Sequence, residues 1–104
     1  MMNEAKPDDF QKIISISEKM LEYARQERWD DVTISERERK QLLAEFFSKP
    51  TNVRNANLSL GIRAILEKDR EIVRLGAVKR EKLRSALQRF NQRKDAVEAY
   101  SAVG

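Results

Sequence analysis

Taken in alternating steps of four and three from Leu58, the chain reads Ile62, Ile65, Asp69, Ile72, Gly76, Lys79, Leu83, Ala86, Phe90, Arg93, Val97 and Tyr100. A mostly apolar heptad seam of this length predicts one long helix over about residues 57–100. A shorter pattern of helical period runs through Phe10, Ile13, Ile14, Ser17, Met20, Leu21 and Ala24, with Glu18, Lys19, Glu22, Arg25 and Gln26 largely opposite. It predicts a surface helix over about 8–27 that packs one stripe. Pro7 followed by Asp8 and Asp9 starts that helix, because proline suits the first helical position and carboxylates suit the positive end of the helix dipole.

Between these two lies a helix predicted over about 30–48, capped by Asp30, with Trp29 and Ile34 placed to form a hydrophobic staple. Its apolar residues are Val32 and Ile34, then Leu42, Leu43, Ala44, Phe46 and Phe47; the intervening run Ser35 to Gln41 has none. A stripe through Val32, Glu36, Arg39, Leu43 and Phe46 must cross that polar run to face inward. The helix ends before Pro50, which pushes its neighbour out of the helical region. Residues 49–57 form a polar connection, and Asn57 or Ser59 is placed to cap the third helix. A turn centred near residue 53 brings Leu43 to Ile62, Phe46 and Phe47 to Leu58, and Glu36 and Arg39 opposite Asp69. An ion pair between Arg39 and Asp69 is therefore expected inside or at the edge of the bundle. Such a pair adds little net stability but can fix register.

The expected fold is all-α. An antiparallel hairpin of the first two helices packs on the long third one, all within a single helical-bundle domain spanning residues 1–104, with residues 1–7 disordered. By the same register the hairpin ends opposite about residue 75, yet the apolar stripe continues through Leu83, Ala86, Leu87, Phe90, Val97 and Tyr100. Three arrangements would cover it: a break near Asn91 that folds the end back as a fourth helix, pairing of two copies, or a partner's helix.

Composition narrows the chemistry. The chain has no Cys and no His, so disulfides, thiolate sites and imidazole catalysis are excluded. No acidic loop of calcium-binding type occurs, and no cofactor is expected. No stretch has the length and apolarity of a membrane-spanning helix, and the N-terminal stretch lacks a signal pattern, so a cytoplasmic protein without membrane insertion is expected. Residues 1–48 hold eight Lys/Arg and eleven Asp/Glu, a net −3; residues 49–104 hold thirteen and six, a net +7. The positive charge is concentrated on the long helix, in Arg74, Lys79, Arg80, Lys82, Arg84, Arg89, Arg93 and Lys94. A nucleic-acid or anionic-membrane role is one reading of a basic helix. A solvated face or a protein partner is favoured, since no stacking aromatics, zinc motif or helix-turn-helix accompanies the charge.

The order and spacing of several short segments resemble the flagellar export chaperone family FliT, which binds the filament-cap protein FliD. These are Gln26-Glu27-Arg28-Trp29-Asp30 after the first helix, Glu36-Arg37-Glu38-Arg39 and Leu42-Leu43 in the second, Ile65-Leu66-Glu67-Lys68-Asp69-Arg70-Glu71-Ile72 opening the third, and Lys94-Asp95-Ala96-Val97-Glu98-Ala99-Tyr100 closing it. The resemblance spans about residues 10–101. It implies a non-catalytic chaperone that holds the C-terminal helical segment of the cap protein and delivers it to the export gate and its ATPase. It also implies a substrate groove on the third helix and C-terminal segment, here Ile65, Leu66, Ile72, Val73, Leu83, Leu87, Phe90, Val97 and Tyr100. Two other readings stand beside it: a basic coiled-coil nucleic-acid binder, and a helical chorismate mutase of similar size. The mutase would need cationic or polar groups on the inner face of the first helix to hold two carboxylates, where only Ser17 is available.

Overall fold

The structure, a computed structural model, describes residues 7–49 and 55–103. It contains three helices, α1 (Pro7–Arg25), α2 (Trp29–Phe47) and α3 (Asn55–Val103), and no strand among the described residues. The expected disorder of residues 1–6 and the centre of the expected α2–α3 connection lie outside the described residues, whereas Pro7 already belongs to α1. The chain divides into two compact units, Met1–Arg74 and Leu75–Gly104.

In the first unit α1, α2 and the start of α3 share one core. Phe10, Ile13, Phe46 and Ile65 are buried together, with Ile14, Leu42, Leu43 and Leu58 packed against them. The rings of Phe10 and Phe46 lie 5.2 Å apart at 49°, a tilted arrangement that suits two aromatic quadrupoles. Met20, Ala24 and Val32 continue the buried stripe toward the α1–α2 hinge. α3 enters this core through a residue without a side chain. Gly61 is buried, and a Cβ there would run into the Phe10 ring. Ile62, which the heptad seam turns inward, is 37% exposed.

The hinge departs from the sequence expectation. α1 ends in a Schellman motif: Arg28 N–H donates to the Tyr23 carbonyl at 2.8 Å and Glu27 N–H to that of Ala24 at 3.1 Å, with Glu27 in the left-handed region at φ 60°. This tight closure lets α2 start at Trp29, with Arg28 rather than Asp30 at the cap position and no side chain capping it. Asp30 falls within the first turn, and Ile34, at 60% exposed, forms no staple. Arg28 instead spans the hinge, its guanidinium 4.6 Å from the Tyr23 ring centroid and its Nε donating to Asp31 at 2.7 Å.

At its other end α2 stops at Phe47, where Ser48 N–H donates to the Ala44 carbonyl and Ser48 Oγ to that of Glu45. Phe47 is exposed, its ring edge-on to Phe46. α3 is already helical at Asn55, which places Asn57 and Ser59 inside it rather than at its cap. It continues through Asn91 without a break, so no fourth helix forms among the described residues. Asn is a poor helix former by only a fraction of a kcal/mol, and neither Gly nor Pro lies between Gly76 and Gly104 to turn the chain.

Candidate partner-binding surface

The polar run in α2 is resolved by one buried side chain. Arg39 reaches across the bundle, and its Nη1 and Nη2 donate to Asp69 Oδ1 and Oδ2 at 2.8 and 3.2 Å. This is a bidentate pairing in which 11% of the Arg39 side chain and 33% of the Asp69 side chain remain exposed. Nη1 also donates to Ser17 Oγ at 3.0 Å, and that hydroxyl donates to the Ile13 carbonyl at 3.0 Å. Ser17 is fully buried. One guanidinium thus joins a side chain from each of the three helices, and its burial is offset by charge-assisted bonds. Glu36, expected on the same inward stripe, is exposed instead. At that turn the half-buried position is Ser35, between the buried Val32 and Arg39, and Glu36 lies on its outer side.

Ser17 is the member that the sequence did not identify as a partner. Its one signal was a small polar residue in the middle of the α1 apolar stripe. Chemically the group is a static clamp: an always-charged guanidinium, a carboxylate and a hydroxyl already committed to a backbone carbonyl. Among the described residues no three Asp or Glu side chains converge as a metal would require.

The residues expected to bind a partner are divided by the structure. Ile65, 8% exposed, belongs to the core of the first unit. Ile72 is half-buried, while Leu66 and Val73 lie exposed about a quarter-turn around α3 from Ile65 and Ile72. In the second unit Leu83, Leu87, Phe90, Val97 and Tyr100 are all exposed, Tyr100 to 85%. With about 100° of rotation per residue, Leu83, Leu87, Phe90 and Val97 form one stripe, with Tyr100 at its border. From Leu83 to Tyr100 it extends about 25 Å. Its side chains leave on the order of 400 Å² of apolar surface open, the size at which a patch on a single chain usually serves recognition.

Two exposed ion pairs stiffen α3. Arg74 holds Glu71 through two bonds, at 2.9 and 2.6 Å, and Arg84 holds Glu81 at 3.1 and 2.7 Å. The hydrogen bond from Arg74 keeps the Glu71 carboxyl below the usual carboxylate range, and the bond to Glu71 raises Arg74 in turn. Arg84 is raised in the same way by its bond to Glu81. No described helix, α3 included, is long and apolar enough to cross a membrane.

Comparison with known proteins gives one family. The model of the family described as flagellar protein FliT matches residues 7–102, nearly the whole chain. No curated protein and no solved structure matches significantly.

Proposed function

The chain belongs to the flagellar protein FliT family, and on that premise we propose that it is a non-catalytic, cytoplasmic flagellar export chaperone needing no cofactor. It binds the C-terminal helical segment of the filament-cap protein, keeps that segment from assembling early, and delivers it to the export gate and export ATPase. Leu83, Leu87, Phe90, Val97 and Tyr100 make the principal contact, with Leu66, Ile72 and Val73 as a second patch and Ile65 supporting α3 from beneath.

The observation that supports this reading is the exposed apolar stripe of the second unit. A groove-binding amphipathic helix is recognised through apolar side chains at such spacing. Burying on the order of 400 Å² contributes about 10 kcal/mol gross, enough to offset the several kcal/mol lost on association.

The test is co-purification of the full chain with a cap-protein C-terminal peptide. The triple variant Leu83→Asp, Leu87→Asp, Phe90→Asp should lose the peptide. It should keep the helical circular dichroism and urea transition of the parent, because the three positions are exposed. Peptide retention equal to that of the parent would remove these residues from the binding surface.

A further inference from the structure

The charges of the second unit are not spread evenly around its helix. Projected at about 100° per residue, Arg80 lies on one flank of the Leu83–Leu87–Phe90 stripe, and Lys82, Arg89 and Arg93 on the other. Lys94 falls within the stripe itself, between Phe90 and Val97. All five are exposed. The opposite face carries Glu81, Gln88, Gln92 and Asp95. Arg84 is turned toward that face and held by Glu81 at 2.7 Å. Glu98 projects beside Arg80, so that flank carries both signs, whereas the flank of Lys82, Arg89 and Arg93 is cationic throughout and Lys94 adds a cation within the stripe.

From this placement we infer that the stripe takes an acidic amphipathic helix, one whose own apolar seam is bordered by Asp and Glu. The inference rests on the proposed function for the occupant being a helix, and adds the charge that helix must carry. Cations bordering an apolar seam are electrostatically complementary to carboxylates bordering the partner's seam, as flanking positions are in paired helices. A second copy of the chain is the wrong occupant by the same argument. Paired antiparallel about Leu87, it would set Arg80 against Lys94; paired in parallel, it would set Lys94, which lies within the stripe, against its own copy. Like charges across an interface select against that partner.

The experiment uses the full chain and four probes: the cap-protein C-terminal segment, a designed helix with a leucine seam bordered by Glu, the same helix bordered by Lys, and vesicles containing phosphatidylserine. The Glu-bordered helix should bind at least about tenfold more tightly than the Lys-bordered one, and its affinity should fall about tenfold from about 50 to about 300 mM salt. The variant Arg80→Glu, Arg89→Glu, Arg93→Glu, checked for parental helicity, should reverse the preference. Equal binding of the two helices, an unreversed preference in the variant, or tighter binding to the vesicles would overturn the inference. The two proposals fail separately. A cap segment that binds with no dependence on salt or on the reversed charges sinks the acidic occupant alone. A Glu-bordered helix that binds where the cap segment does not sinks the cap-protein assignment alone.

Discussion

Replacing Asp69 by Ala removes the carboxylate that accepts both bonds from Arg39 and leaves a guanidinium only 11% exposed beside a methyl group. Unit charges about 4 Å apart attract by about 4 kcal/mol at an effective dielectric near 20. One-third of the Asp69 side chain is open to water, so solvent competes for the pair and about 2 kcal/mol of that attraction survives. The abandoned guanidinium adds about 1 kcal/mol of uncompensated desolvation, moderated by the bond it keeps to Ser17. The sum, about 3 kcal/mol, is a third to a half of the stability of a domain this small. In urea, with a slope of about 1.2 kcal/mol/M, the midpoint should fall by about 2.5 M at unchanged slope. Removing both partners, as Arg39→Met with Asp69→Leu, should bring stability back to within about 1 kcal/mol of the parent. A midpoint shift below about 0.4 M for Asp69→Ala would refute the claim that this pair is electrostatically significant. A double variant as unstable as the single one would place the loss in packing rather than charge.

Other substitutions probe the backbone and the surface. Gly61→Ala should destabilise by about 1 kcal/mol in a denaturant titration, because overpacking against Phe10 and Ile14 costs about 2 kcal/mol and only about 1 is returned by helix propensity. A gain in stability there would mean that the Phe10 ring moves aside freely. Glu27→Gly should raise stability by about 0.5–1 kcal/mol, since glycine accepts the left-handed conformation that a side chain resists; a loss would argue that the Schellman turn is not maintained in solution. Glu71, whose carboxyl is held low, contributes stability present above the ordinary carboxylate range and lost as pH falls through its lowered value. Carbon-detected NMR should show the Glu71 carboxyl titrating lower in the parent than in the Arg74→Gln variant; no difference between the two proteins would mean that the bond to Arg74 is not kept.

The residues that were legible in the sequence are those whose neighbours repeat at a fixed spacing. The α1 stripe through Phe10, Ile13, Ser17, Met20 and Ala24 is buried as its period implies. Arg39 and Asp69 could be paired on paper because each interrupts an apolar seam at the same height of an antiparallel pair. What the pattern hid depends on distances that spacing does not carry. A heptad count walks from Leu58 to Ile62, but a straight helix drifts by about 20° per heptad relative to that count. Where a bulky ring such as Phe10 must be accommodated, the residue without a side chain, Gly61, turns inward instead. The left-handed Glu27 was invisible because glutamate is not a residue that advertises that conformation. With it went the one-residue shift in the start of α2, and so the expected cap and staple. The surface of the second unit follows from periodicity alone; which molecule covers it does not.

The shared guanidinium also bears on the order in which the chain is made. Synthesis supplies α1 and α2 first, and Ser17 and Arg39 with them, whereas Asp69 follows thirty residues after Arg39. In the nascent hairpin Arg39 has a hydroxyl for company but no counter-charge, and a charge without its partner favours hydration over burial. The hairpin is thus kept from closing on itself in a dry, finished form until α3 arrives, and the core is sealed by the last of its three helices to be synthesised.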